Sequence, residues 1–486
     1  MFSRPKLAET PAALKGFCEK LHEHLPLIYL LYSIPAIVLI ALITPPFQVP
    51  DERNHFCRAE QVSTGRMVAF FHTRGEKQLP TVRDERVLMP DIGGFKVNKG
   101  IGIADSFYDD ILGHQSKKVE KSKLDSSGKI YWNLGMEYAE FPNTAIYPPT
   151  GYIMSAFGIV IGKLLDLSVV DTLYLSRCLN GFLCAFLCFY ALRLAKASRL
   201  LLFTVLLFPM TLSLFASVSQ DGLLISLACI FLGLIGYVEA DAEKHYSRKQ
   251  MITMVIAIAA IGAARPPYFI LSFLFFFLNL DRRTKLTCFM ATLVPVVLWG
   301  WLNRHNYAVV WAPPQMKINA ALQIKHILAD PLEFISLFFR FDFSYIKEMV
   351  YEFIGVLGSL DLRFPSYFYL GALISLIFAA AISTYNFRKK FRLRLALVAL
   401  TIATFMAILT AQYITWVELE ARHLGGLQGR YFIPVFFPVA FALAGFRKNI
   451  SIRKWQAPLF LFILIFPFIS TVVSVCQLIR RYYLVT

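Results

Sequence analysis

Residues 25–43, LPLIYLLYSIPAIVLIALI, hold no charged side chain. A bilayer core takes roughly 20 consecutive apolar residues per helix, because backbone polar groups must be satisfied within the segment. Runs of this kind recur along the chain, whose 486 residues are 57% hydrophobic with a mean hydropathy of +0.55. The chain therefore reads as an all-α polytopic membrane protein, and water-soluble folds are excluded. The first 25 residues are too polar, and lack the small-residue cleavage site, for a signal peptide, so 25–43 reads as a retained span.

The formal net charge is +17, yet residues 51–140 balance 14 basic against 14 acidic side chains. The excess lies near the short connections and the chain ends, where the positive-inside bias operates. It sets topology, and no exposed basic face for nucleic acid is visible. The eight cysteines contain no CxxC pair and most sit in apolar runs, as small hydrophobes do. The histidines show no metal-ligand spacing.

Arg4, Lys6, Lys15 and Lys20 place the N-terminus on the cytoplasmic side. Residues 45–146 follow as a long outer loop. The apolar piece 147–167, which begins YPPTGY, reads as interfacial or re-entrant, since counting it as a crossing puts every later basic cluster outside. Crossings follow at 173–195, 200–219 and 220–240. The stretch between EKHYSRKQ and DRRTK has basic flanks and must cross an even number of times. It reads as two short helices joined at Arg265-Pro266-Pro267, meeting in a protein-lined cavity. After 286–302 comes a second outer loop, 303–364, with an amphipathic run at 331–353 that suits the interface plane. Crossings at 365–385, 395–414, 431–446 and 457–478 complete about eleven and leave the C-terminus outside.

Several polar residues fall at the mouths of these spans. In PDERNH, a helix beginning after Pro50 carries Asp51, His55 and Arg58 at i, i+4 and i+7 on one face, with Glu52 on the neighbouring face. An aspartate there could take a proton from an attacking hydroxyl, and Arg58 could steady a phosphate. The alternative makes Asp51 an N-cap and Gly65 a helix stop. Asp221 in SVSQDGL sits at an outer turn, where it is either functional or an N-cap. Arg265 at the proline joint must be buried or face water, because lipid exposure costs several kcal/mol. Arg430 in LQGRYF either binds an anion or snorkels. Together Arg58, Arg265 and Arg430 could form a cationic pocket facing Asp51.

The ordered series PPFQVPDERNHFCRAEQVSTG, YPPTGY, YLSRCLNG, SVSQDGL, RPP, IGVLGSLD and GLQGRYFIPV is similar to domain-of-unknown-function family 2142 of bacterial membrane proteins, over roughly residues 27–445. That family resembles the GT-C superfamily of multispanning glycosyltransferases. The resemblance implies a GT-C-like module over 1–446, with juxtamembrane helices in the first outer loop, and a final transmembrane helix and short outer tail over 447–486. It implies an inverting transfer of a sugar from a polyprenyl-phosphate donor to a surface glycan, for example O-antigen of lipopolysaccharide, at the periplasmic face of the bacterial inner membrane. Asp51 is then the candidate base, with Glu52 and His55 beside it. Arg58, Tyr147, Asp221, Arg265, Gln428, Arg430 and Tyr431 become the candidate substrate-binding residues. No cofactor is required. A divalent cation, Mg or Mn, is compatible with the chemistry, and Asp51 and Glu52 would be its ligands. The alternatives are a transporter or flippase of a lipid-linked glycan, which shares the cationic cavity but needs no base, and a glycan polymerase or ligase.

Overall fold

The computed structural model describes residues 12–72, 77–78, 86–87, 92–195, 198–239, 241, 243–304, 318–340, 342–382, 391–443 and 456–484. Arg4, Lys6 and the expected basic cluster at 446–454 lie outside these residues. Six described helices are long and apolar enough to cross a bilayer: Lys20–Ile43, Val169–Leu194, Asp221–Glu239, Arg282–Leu302, Phe391–Trp416 and Ala457–Tyr482. Shorter apolar helices cover Pro266–Phe277, Ser366–Ile382 and Gly429–Ala442. The fold is thus a polytopic helical bundle, in which several of the expected crossings are short or broken.

The breaks follow proline chemistry. The segment expected to cross at 200–219 divides into Arg199–Leu206 and Pro209–Phe215, with Phe208 extended at the joint. A residue before proline is driven out of the helical region, and proline itself offers no N–H. The same logic ends the helix Arg248–Ala264 at Arg265, before a 3-10 helix runs over Pro266–Phe277. This is the expected pair of short helices. The YPPTGY piece becomes a 3-10 turn, Pro149–Tyr152, and a helix Ile153–Leu164. At 12 residues that helix is about 18 Å long, too short to cross.

Val169–Leu194 is the hub of the bundle and packs against Ala12–Ile43, Ile153–Leu164 and Asp221–Glu239. Its Arg177 is wholly buried and donates to the carbonyls of Ala41, Thr44 and Pro45. The remaining bonds go to both carboxylate oxygens of Glu52, at 2.8 and 2.5 Å. One guanidinium therefore satisfies the open carbonyls at the end of the first span and anchors the helix that follows.

To the expected helices the structure adds a small antiparallel sheet in the first loop. Ile92–Asn98 is its central strand, flanked by Phe70–His72 and Met136–Glu140. The sheet is tied to the helix Glu52–Ser63 through Glu60, whose buried carboxylate accepts from the Asn98 amide and from Lys163, both at 2.9 Å. That helix is thus held from two sides, by Arg177 and by the sheet.

Candidate functional site

Asp51 occupies the N-cap position of the helix Glu52–Ser63 with φ 59° and ψ 16°, and its side chain makes no capping bond. The left-handed conformation costs a non-glycine residue roughly 1–2 kcal/mol, although aspartate tolerates it better than most. The expectation of a structural cap is therefore not met. The carboxylate is 48% exposed and stands 3.9 Å from Arg430.

It faces a cavity of about 310 Å³. The cavity is walled by the start of this helix, the segment 143–147, the first turn of Asp221–Glu239, the Arg265 joint, the end of Phe391–Trp416 and the turn 426–431. Asp51, His55, Tyr147, Asp221, Arg265, Gln428, Arg430 and Tyr431 all line it. Residues 380 positions apart in sequence thus meet, and of the cationic pocket expected to face Asp51, Arg265 and Arg430 are here.

Within the cavity the charges are arranged in a fixed order. Arg265 donates to Asp221 at 2.6 Å, and its guanidinium lies over the Tyr431 ring at 4.1 Å. Asp221 is committed to this pair and is not a helix cap. Arg430 is 4% exposed, so it does not snorkel. It donates through Nε to Gln428 at 2.6 Å and stands 3.9 Å from both Asp51 and Asp221. Its Nη1 is buried with no hydrogen-bond partner among the described residues, as is Nε of Arg265. Buried donors of this kind are costly unless a ligand or water meets them. The turn that carries Arg430 is held by Gly429, whose amide donates to Glu352 at 2.6 Å. A Cβ there would overlap the Met349 carbonyl, so only glycine fits.

His55 stacks on Tyr147 with centroids 6.2 Å apart and shares a 2.7 Å hydrogen bond with the Tyr152 hydroxyl. Burial outweighs the attraction of Asp51 and Asp221 and pushes its imidazole down to about 4. It is neutral at pH 7 and supplies no positive charge to an anion. Burial likewise raises the Tyr147 and Tyr152 hydroxyls above the ordinary tyrosine range.

Two expected site residues do not line the cavity. Glu52 points away from it into the Arg177 pair, with both side chains fully buried. An acid consumed by a bidentate arginine is not available as a base, and Asp51 and Glu52 diverge instead of forming paired cation ligands. Among the described residues no three His, Cys, Asp or Glu side chains converge as a metal site. Arg58 is also fully buried, and donates to Gln61, to the Met67 carbonyl and to the Tyr147 carbonyl at 2.5–2.7 Å. It shares the face of Asp51 and His55 but lies one turn deeper, below the cavity floor. Its work is to hold Tyr147 in place.

Other cavity residues escaped the sequence reading. Asn54 donates to Asn143 at 2.7 Å on one wall. Gln412 and Trp416, one helical turn apart, form another, and Gln412 Oε1 is buried without a partner among the described residues. Nothing in MAILTAQYITW marks that glutamine. Arg177 had a visible signal, an arginine deep inside an apolar run.

The chain matches the family described as "Predicted membrane protein (DUF2142)" over residues 36–439. It belongs to the DUF2142 family. This DUF2142 protein is also similar to the apo crystal structure of the Archaeoglobus fulgidus oligosaccharyltransferase, with a TM-score of 0.41 and 14% identity over 94% of this chain and 56% of that one. The DUF2142 chain thus spans just over half the length of that structure. No curated protein matches it.

Proposed function

We propose that the cavity is the active site of a membrane glycosyltransferase that moves a sugar from a polyprenyl-phosphate donor to a surface glycan such as O-antigen. The observation that carries this reading is an exposed carboxylate, Asp51, facing two arginines whose buried N–H groups include donors with no partner among the described residues. An acceptor hydroxyl loses its proton to Asp51 as its oxygen bonds to the anomeric carbon. The bond from that carbon to the phosphate oxygen breaks, and the electron pair leaves with the polyprenyl phosphate. Arg430 and Arg265 meet the charge that grows on the phosphate, where fixed donors are worth most. A phosphate leaves without an acid, so a single base suffices and the anomeric configuration inverts. This differs from the two separated carboxylates of glycosidases.

Asp221 has a supporting part, since it orients Arg265 and keeps the cavity near neutrality before the donor arrives. Neutral His55 and Tyr147 wall the base side and exclude water. The positive-inside pattern supports a periplasmic location for this end of the bundle.

The test is Asp51→Asn in a strain that makes the modified glycan. The expected result is unmodified glycan, accumulated polyprenyl-phosphate sugar and normal protein levels. Retained modification at normal protein level overturns Asp51 as the base. The head group that accumulates names the donor.

A further inference from the structure

A second cavity, of about 290 Å³, shares no lining residue with the first. It forms where the last span, Ala457–Tyr482, meets both long loops, and Gln115, Lys118, Asp361, Arg363, Arg480 and Arg481 line it. Three bonds fix its position at the Asp51 end of the bundle. The Val119 amide donates to the Tyr482 carbonyl at 2.8 Å, the Tyr483 hydroxyl donates to the Ile43 carbonyl at 3.0 Å, and Gln115 donates to the Asp361 carbonyl at 2.8 Å. Ile43 ends the first span. The cavity therefore opens at the depth where two spans leave the bilayer, which is where phosphate groups of lipids and of lipid-linked glycans lie.

Its cations divide into spent and unspent. Arg481 is spent as a clamp, with two bonds to Asp361 Oδ2 at 2.9 and 2.7 Å and others to the Lys117 and Ile111 carbonyls. Arg363 pairs with Glu348 at 2.9 Å. Lys118 donates to the Arg480 and Arg481 carbonyls at 3.0 and 2.9 Å and so caps the helix, but its positive charge has no acidic partner among the described residues. The Arg480 guanidinium is exposed and has no hydrogen bond or ion pair with any described residue. Lys118 and Arg480 thus keep their charge, and the Arg481 clamp holds the loops that carry the wall. Burial, and then the charges of Arg481 and Arg480, hold the Lys118 ammonium below the ordinary lysine range. The field here is positive and unbalanced.

We infer that this cavity is a binding site for a phosphate group at the membrane surface, held by Arg480 and Lys118, and separate from the Asp51 site. The chemistry has two sources, the head group of an anionic phospholipid or a phosphorylated glycan. The inference does not depend on the glycosyltransferase reading.

The test uses the purified full-length protein, as wild type, Arg480→Gln and Arg66→Gln. Arg66 is an exposed arginine elsewhere in the first loop and serves as control. Native mass spectrometry after reconstitution with phosphatidylglycerol and phosphatidylcholine reads lipid retention. Thermal unfolding in uncharged detergent with added inorganic phosphate or pyrophosphate reads the free anion. If the site takes a lipid, Arg480→Gln lowers phosphatidylglycerol retention about fivefold, as expected for one cation near an anionic head group, and Arg66→Gln leaves it unchanged. If it takes a glycan phosphate, the anions raise the unfolding temperature of wild type and Arg66→Gln but not of Arg480→Gln. Identical behaviour of the three proteins in both measurements overturns the inference.

Discussion

Asp51 and Arg430 stand 3.9 Å apart, too far for a hydrogen bond and close enough for strong attraction across a partly dry cavity. The same arginine is equally far from Asp221. It is therefore held between two carboxylates without being tied to either, while Arg265 is tied to Asp221 at 2.6 Å. A guanidinium so placed can turn to an incoming phosphate without first breaking a short ion pair.

Arg430→Lys keeps the charge and loses the fork, including the bond from Nε to Gln428. The expected loss in glycan modification is about 10²-fold, the scale of losing one oriented donor to a developing negative charge. Protein level should hold, because among the described residues the side chain's only short bond is to Gln428. Modification assayed in cells at matched expression checks this.

Asp51→Gly removes the carboxylate proposed as the base and also the left-handed strain at φ 59°. It should stabilise the fold by at most about 1 kcal/mol, the relief of strain less glycine's backbone entropy, while abolishing modification. Thermal unfolding in detergent, compared with Asp51→Asn, separates the two effects. Asparagine tolerates this conformation and should leave stability unchanged.

The Arg177–Glu52 pair predicts the opposite combination. Glu52→Gln or Arg177→Met leaves an unpaired buried charge or three unsatisfied carbonyls, at a cost of about 3–5 kcal/mol. Arg177→Lys should not rescue, since one ammonium cannot reach carbonyls and a carboxylate that lie in different directions. Unfolding temperatures and protease resistance of the purified variants decide it. Were Glu52 a catalytic base, Glu52→Gln would instead be stable and inactive.

His55 sets a pH response. Its folded pKa of about 4 lies below the ordinary 6.5, so the unfolded chain binds the proton more readily between those values. Stability from the neutral buried imidazole is complete above pH 6.5 and is lost as pH falls toward 4. The size is about 3 kcal/mol at most. Unfolding followed from pH 7.5 to 4 should show this loss in wild type, and His55→Gln should flatten it.

Much of this site could be read from spacing. Asp221, Arg265 and Arg430 each stood out because a charge at the mouth or joint of an apolar span is expensive unless something faces it. Depth was not readable. The face that carries Asp51 and His55 continues to Arg58, yet the cavity floor falls between the second and third of them. Whether Glu52 points to the cavity or to Arg177 depends on where a helix more than a hundred residues later comes to lie. The sheet was missed for a local reason: IGGFKVN carries two adjacent glycines and no sustained alternation, and its partners are short. The break at Pro209 was visible in the sequence, but a continuous apolar stretch outweighed it in the span reading.

The Arg177 staple also orders events in time. During synthesis the first span and the helix of Asp51 are made long before the residue that joins them. Until Val169–Leu194 has been laid into the membrane, three carbonyls and the Glu52 carboxylate stay solvated, and the whole first loop waits outside the bilayer without its anchor. Assembly of the Asp51 end of this protein is therefore a delayed step of biogenesis, and any factor that shelters loops during membrane insertion would act on this end before the others.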